Sequence, residues 1–221
     1  MLGDGWLACR QRARAVAGLL VRVRGTTDCP RLMSWGNDCA MSVSMYTASV
    51  PIFIQFLTAL AEVISKAEAH AKASKIDESF LINMRLYPDM YPFVRQVQQS
   101  CSHAERICSA LAGTPPLGLP KTERTFAELK ISLAKTIDYL RAFRPDQIDG
   151  TEDKIVDAGG RKLSGRILLL SRVLPHFYFH CTTAYDILRH CGVPLVKHDF
   201  LGTPPELMDD PVRLQSWSHS R

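Results

Sequence analysis

The sequence predicts an all-α protein, a four-helix bundle, on three observations. Apolar residues recur every three or four positions in four long blocks between about residue 45 and residue 190. Alternation with a period of two, which indicates strands, is never sustained. Proline and glycine stand at the block boundaries, where helices begin and end. A chain of 221 residues, 46% of them hydrophobic, is long and apolar enough to bury the core of such a bundle.

The first two blocks predict the first two long helices. An apolar stripe from Phe53 to Ala67 predicts a helix over about residues 45–73. A second stripe predicts a helix that begins after Pro92, a residue that suits a first turn, and ends at Gly113. The segment that follows, GTPPLGLPKTER, is long and rich in proline. It predicts a long crossover between helices two and three of the bundle rather than a tight antiparallel turn.

The third block predicts the helix with the clearest start signal. Thr125 suits the N-cap position, and Glu128 three residues later completes a capping box. Pro145 ends the block. Beyond it, the segment DKIVDAGGRKL at 153–163 predicts a short hairpin or an ordered loop.

The fourth block predicts a last helix that is kinked or divided. It runs from about Leu163 to His190, and Gly192 stops it. Pro175 lies inside the block, where its missing N–H removes one backbone hydrogen bond. The bundle is therefore expected to have an interrupted fourth helix.

Charge and composition predict three regions in the chain. The net charge is +5, of which residues 1–40 supply +3 through six arginines and three aspartates. We expect a basic and largely disordered N-terminal extension at 1–41, the bundle at 42–202, and a C-terminal tail at 203–221. If residues 1–40 are instead an Arg-rich presequence, the protein is organellar rather than cytoplasmic.

The remaining composition favours an intracellular protein that neither spans a membrane nor binds nucleic acid. Seven cysteines at irregular spacings, with no CxxC, indicate reduced thiols and no zinc knuckle. No apolar run predicts a membrane span, because Pro51 and Gln55 interrupt the longest one. No basic stripe with interleaved aromatic residues predicts nucleic-acid binding.

Three of the seven histidines lie between Pro175 and Gly192. His176 and His180 are one helical turn apart, so both imidazoles can chelate one ion. His190 lies ten residues beyond His180, roughly 15 Å along a helix axis, and cannot join them. We expect His190 to hold the C-terminal segment in place, so that its removal lowers stability. His180 has an alternative interpretation as a hydrogen-bonded histidine of the core.

Three stretches carry a resemblance to a known family: MSVSMYTASVPIFIQFLTALAEVISKAEAHAK, RLYPDMYPFVRQVQ and LPHFYFHCTTAYDILRHCGVPLVKHDFLG. Together they resemble an uncharacterised family of unknown function over residues 42–202. That family is similar in turn to the DinB-like helical bundles, which are proposed metalloenzymes. The resemblance implies the same bundle, with a long connection between its second and third helices.

The resemblance also implies a metal site and departs from the family at three places. DinB-like metalloenzymes use one histidine from the second helix and an HxxxH pair from the last, which correspond here to His103 with His176 and His180. Relatives carry Asn where this chain has His176, Asp where it has Ser102, and Gly-Lys where it has Val196 and Lys197. A helical wheel places His103 about 120° from the centre of its apolar stripe. Alternatives for the third ligand are Asp89, Cys101 and Glu105.

Two classes of function follow from these residues. The first is an enzyme acting on a small molecule, with zinc, nickel or manganese or with no cofactor, in which His180 is a metal ligand or general base. The second is a non-catalytic module that binds a small ligand or forms a homodimer through helix faces. We expect a pocket between helices that His180 lines, with Tyr185, Arg189, His190 and Asp199 as further pocket residues. We also expect Arg189 to pair with Asp199 or Asp186.

Overall fold

The structure is a computed structural model that describes residues 43–204, and these residues form the predicted helical bundle. In chain order, its elements are the helices α1 (Val50–Ser74), α2 (Glu78–Asn83), α3 (Phe93–Ala112), α4 (Phe126–Arg141) and α5 (Pro145–Ile148), the strands β1 (Ile155–Asp157) and β2 (Lys162–Ser164), the helix α6 (Gly165–Ile167), a π-helical segment (Leu168–Val173), and the helices α7 (Leu174–His190) and α8 (Lys197–Leu201). The all-α fold class is confirmed.

The four long helices α1, α3, α4 and α7 surround one hydrophobic core. Each contributes a fully buried phenylalanine, and the four are Phe53, Phe93, Phe126 and Phe177. Phe53 meets Phe177 edge to face, with ring centroids 4.8 Å apart, and Phe93 meets Phe126 in the same way at 6.3 Å. Edge-to-face contact places the positive rim of one ring on the negative face of the other. The aromatic pairs therefore join α1 to α7 and α3 to α4.

Helix α1 begins five residues later than the sequence predicts. Residues 45–49 form turns, and α1 starts at Val50 with Pro51 in its first turn. The Ser49 hydroxyl donates to the Met45 carbonyl at 2.6 Å. A serine hydroxyl that donates to the carbonyl four residues earlier competes with the regular hydrogen bonds of a helix, which explains the later start.

By length and composition alone, α1 is apolar enough to cross a membrane. Its buried face, which includes Phe53, Leu57 and Ile64, is part of the core of the bundle. Core helices of globular domains meet the same two criteria, so this property is weak evidence for a membrane span.

The ends of α3 and the start of α4 follow the sequence signals. Helix α3 ends at Gly113, whose φ of +72° is the left-handed conformation that glycine adopts without strain. The crossover that follows contains no helix or strand up to Thr125. There the predicted capping box is confirmed. The Glu128 N–H donates to the Thr125 hydroxyl at 3.2 Å, and the Glu128 carboxylate accepts from the Thr125 N–H at 3.1 Å.

The last helix is divided, as Pro175 predicts, and a hairpin precedes it. Strands β1 and β2 pair antiparallel, with Val156 opposite Leu163. The Lys154 ammonium donates to the carbonyls of Ala110 and Leu111 at 3.0 and 2.7 Å, which ties the hairpin to the negative end of α3. After the hairpin, the π-helical segment separates α6 from α7.

Three short helices, α2, α5 and α8, were not predicted. A helix of four to six residues is too short to show a helical period in its apolar residues. Local hydrogen bonds define such helices instead. In α2, for example, the Asp77 carboxylate accepts from the Ser79 N–H at 2.8 Å.

The predicted terminal regions lie largely outside the described residues. The basic extension at 1–41 is entirely outside them, and only residues 203 and 204 of the predicted C-terminal tail fall within them. The three-region division of the chain therefore stays a prediction.

The capping box provides a test of the fold. Thr125→Ala removes a hydroxyl that accepts the Glu128 N–H, and we expect the free energy of unfolding to fall by about 1 kcal/mol. Urea denaturation followed by circular dichroism measures this. The control is Thr122→Ala, an exposed position three residues earlier, which should leave the stability unchanged. Equal losses in the two variants would contradict a specific cap.

Candidate functional site

Antiparallel packing of α3 against α7 brings three histidines together. The His103 ring of α3 lies 5.2 Å from the His176 ring and 5.4 Å from the His180 ring, measured between centroids. His176 and His180 are one turn apart on α7, as the sequence predicts. His103, His176 and His180 are hereafter called the histidine cluster.

Gln96 fixes the orientation and tautomer of His180. The Gln96 side-chain amide donates to the Tyr91 carbonyl at 3.1 Å, so its oxygen faces His180. His180 Nδ1 lies 2.7 Å from that oxygen and therefore carries the proton that it donates. His180 Nε2 is left with a lone pair for a ligand or a proton.

Burial keeps two of the imidazoles uncharged. It lowers the pKa of His103 from 6.5 to about 4, with smaller contributions from His180, His176 and Arg106 in that order. Burial also lowers the pKa of His180 from 6.5 to about 4, with His176 as the second cause. Removing a cation from water is costly, and a second positive charge nearby adds to the cost. At neutral pH, His103 and His180 are therefore neutral imidazoles.

The cluster fits a metal ion by residue type and proximity, but its rings are not arranged for one. Neutral imidazole is a common ligand of zinc, nickel and other transition metals. The His103 and His180 planes are within 15° of parallel and stacked. An imidazole lone pair lies in the ring plane, so the stacked pair must turn before both nitrogens can reach one ion. In residues 43–204, no three His, Cys, Asp or Glu side chains form a group ready to hold a metal.

A cleft of about 400 Å³ opens beside the cluster. It lies between α3, the hairpin and the π-helical segment, and its lining residues include His103 and His176. Apolar side chains from all three elements form much of its wall: Ile107, Val156, Leu168 and Val173. His180 is not among the lining residues, contrary to the expectation of a pocket lined by it. Its imidazole instead lies behind His103, towards Gln96 and Tyr91.

The four pocket residues expected from the sequence lie elsewhere. Tyr185 and Asp199 line a separate cavity of only about 10 Å³. The expected Arg189 ion pair is wrong, because Asp199 pairs with Lys66 at 2.7 Å, while the Arg189 guanidinium donates to the Val193 carbonyl at 3.4 Å. Arg189 therefore bonds the turn that follows α7.

The structural role expected for His190 is also wrong. Its side chain is exposed and makes no hydrogen bond or ion pair within residues 43–204. Its position at the end of α7 allows it to interact only with the negative pole of the helix, a weak effect at an exposed site. Removing it is expected to cost little stability.

The other candidate third ligands do not join the cluster. Glu105 lines a different cavity, of about 20 Å³, on the side of α3 that faces α4. Cys101 lines the same cavity, and burial raises the pKa of its thiol to about 12, which opposes metal binding as a thiolate. Asp89 is exposed in the loop before α3.

Sequence reasoning missed three residues of this region: Gln96, Arg106 and Arg172. One signal was available for Gln96. It lies seven residues before His103, two helical turns, and therefore on the same face of α3. Arg106 lines the cleft from α3 and Arg172 from the π-helical segment, and only the tertiary structure places them together.

Comparison with known proteins supports the helical-bundle fold. The chain matches a domain of unknown function, DUF1993, over residues 45–201. It belongs to this family. It is also similar to a DinB family member protein from Shewanella denitrificans, at 34% sequence identity and a TM-score of 0.70, over 72% of this chain and 93% of that one. No protein of curated function matches the chain. The family is thus DinB-like in fold and uncharacterised in activity.

The neutral histidines predict a specific dependence of stability on pH. As pH falls from 6.5 to about 4, the unfolded chain binds protons at these positions that the folded chain excludes, so the free energy of unfolding decreases. Below about 4 both states are protonated, and the contribution becomes constant. His103→Gln should make this decrease shallower, as measured by urea denaturation between pH 7.5 and pH 4.

The matched control is His190→Gln, which changes an exposed histidine outside the cluster and should follow the wild type. Titration of the ring protons by NMR gives an independent reading. A midpoint near 6.5 for both His103 and His180 would contradict the neutral, buried cluster.

Proposed function

We propose that the histidine cluster binds a divalent transition-metal ion, and that the protein is a metal-dependent enzyme acting on a small molecule in the adjacent cleft. The observation that carries this proposal is the convergence of three imidazoles from two helices. His103 comes from α3 and the other two come from α7, at centroid distances of 5.2 and 5.4 Å from His103.

These distances are compatible with a shared ion. With nitrogen ligands at about 2.1 Å and near-tetrahedral angles, the centroids of two imidazoles on one zinc are separated by roughly 5 Å. Binding of a shared ion therefore requires the His103 ring to rotate out of the stacked arrangement, while Gln96 holds the His180 ring. The hydrogen bond from His180 Nδ1 to Gln96 favours ligation through Nε2, because such bonds orient metal-ligating histidines.

The lowered pKa values favour a ligand role for His180 over the role of general base. A ligand must be deprotonated, and a pKa of about 4 removes competition from protons at neutral pH. A general base works best when its pKa is near the working pH, and at about 4 it accepts protons weakly. The environment of His180 thus suits metal binding better than metal-free proton transfer.

A bound ion would supply Lewis acidity and a water of lowered pKa. The chain supplies the rest of the site. Gln96 holds the His180 ring, and the cleft holds a substrate beside His103 and His176. The apolar walls reduce the access of water, which strengthens electrostatic interactions in the site.

Metal binding by variants tests the proposal. Protein purified without a histidine tag should bind zinc, nickel or manganese at micromolar concentration, in calorimetric titration and elemental analysis. His103→Ala and His180→Ala should abolish binding, because each removes an imidazole and puts no other ligand atom in its place. Gln96→Ala should weaken it by about 10-fold to 100-fold through loss of ring orientation.

His176→Asn, which introduces the residue typical of relatives, should weaken binding less than His180→Ala. His190→Ala is the matched control and should bind like the wild type, because it lies outside the cluster. If the wild type binds none of the three metals, or if His180→Ala binds as well as the wild type, the metal proposal fails.

A second candidate is a non-catalytic module that binds a small ligand in the same cleft. The observation that favours it is the scarcity of acid–base groups other than histidine. Asp157 is the one carboxylate among the described residues that line the cleft, and it accepts a hydrogen bond from the Gly160 N–H at 2.7 Å. Recovery of a bound molecule chemically unchanged after prolonged incubation with metal-loaded protein would favour this candidate.

A further inference from the structure

The cleft beside the histidine cluster has the size of a small-molecule site. Its volume of about 400 Å³ lies within the range of roughly 300 to 1,000 Å³ that is typical of ligand pockets. Its lining residues come from α3, the hairpin, the π-helical segment and, at His176, the start of α7. π-Helical turns are energetically poor and occur frequently at functional sites. The cleft is therefore a suitable site for a small substrate.

Two arginines line this cleft without a bonded partner. Arg106 extends from α3 and Arg172 from the π-helical segment. Neither guanidinium makes a hydrogen bond or an ion pair with residues 43–204. Other arginines of the chain do so, as in the pairing of Arg144 with Asp146 at 2.9 Å. Two guanidinium groups in one cleft are a common arrangement for recognition of an anion.

The nearby carboxylates compensate only part of this positive charge. Asp157 shares the cleft, but its Oδ1 bonds the Gly160 N–H. Glu105 interacts electrostatically with Arg106, but its carboxylate accepts from the Gly118 N–H and faces the cavity on the other side of α3. Two cations against one lining carboxylate leave a positive site, to which His103, neutral at pH 7, adds no charge.

The two arginines lie on the same side of the histidine cluster. On α3, Arg106 follows His103 by three residues; on the other wall, Arg172 precedes His176 by four. Because α3 and α7 are antiparallel, both steps lead in the same direction, towards the hairpin. One helical turn rises about 5.4 Å, so an anion between the guanidiniums would lie roughly 5 Å from the imidazoles.

Resting on the function proposed above, we propose that the substrate class is a small organic carboxylate with an apolar body. Arg106 and Arg172 bind its carboxylate, and Ile107, Val156 and Leu168 contact its body. The reacting atom, a few bonds from the carboxylate, lies beside His103 and His176. Arg106 and Arg172 are thus binding residues that set substrate specificity.

The test compares a carboxylate with its neutral analogue. In protein treated with a chelator to remove metal, 3-phenylpropanoate should bind about 10-fold more tightly than 3-phenylpropanamide, measured by calorimetry at low salt, because hydrogen bonds to charged groups are the stronger ones. Arg106→Gln and Arg172→Gln should each weaken carboxylate binding by about 3-fold and leave amide binding unchanged. The double variant should lose the preference.

The matched control is Arg166→Gln. Arg166 is exposed, pairs with Asp153 at 3.4 Å and does not line the cleft, so the preference for the carboxylate should persist. Circular dichroism of each variant confirms folding. Equal binding of acid and amide, absence of binding by either at 10 mM, or a preference that survives the double substitution would each overturn the carboxylate proposal.

Removing the metal separates this proposal from the one on which it rests. If the carboxylate preference appears only in metal-loaded protein and survives the double arginine substitution, the anion binds the metal; the carboxylate site is then wrong and the metal proposal stands. If the preference depends on the arginines in protein that binds no metal under any condition, the carboxylate site stands and the metal proposal fails.

Discussion

The antiparallel packing of α3 against α7 is the constraint on which the site depends. This helix pair sets the register at two places in the site: Gln96 bonds His180 near one end, and His103 meets His176 closer to the hairpin. At the hairpin end of the site, Gly165 allows a close approach to α3. A Cβ there would lie 2.9 Å from the Leu111 side chain and in contact with the Thr151 carbonyl oxygen. The hairpin can therefore approach α3 only because residue 165 is glycine.

The elements of the fold could be predicted from the sequence because their signals are local. A helical stripe, the Thr125 capping box and Pro175 each act within a few residues, and all three have the expected effect in the structure. The composition of the cleft depends instead on which walls face each other. Arg106 and Arg172 are 66 positions apart in sequence, and neither belongs to a motif. Local patterns therefore could not predict their placement.

The histidine cluster shows why a helical wheel underestimates how much of a helix is buried when the helix packs against two neighbours. A wheel assumes one buried face, but α3 packs against both α4 and α7, and 14 of its 20 residues are buried. On the α4 side it buries polar groups that satisfy each other, as where the Gln98 amide donates to Glu123 at 2.8 Å. His103 lies far from the apolar stripe because it faces the second partner. The HxxxH pair, by contrast, lies on one element and was predictable.

Charge couples the arginines of the cleft to the histidine cluster. Arg106 is among the causes that lower the pKa of His103, since a guanidinium disfavours a second positive charge nearby. An anion bound to Arg106 opposes that effect and favours the protonated imidazole. By linkage, protonation of His103 would strengthen binding of the same anion, whereas a metal on His103 excludes the proton. A metal ion and a proton therefore compete for His103, and each of them favours the anion through its positive charge. The charges of the arginines and of the imidazoles thus both affect how tightly the anion binds, although these residues come from different turns of the structure.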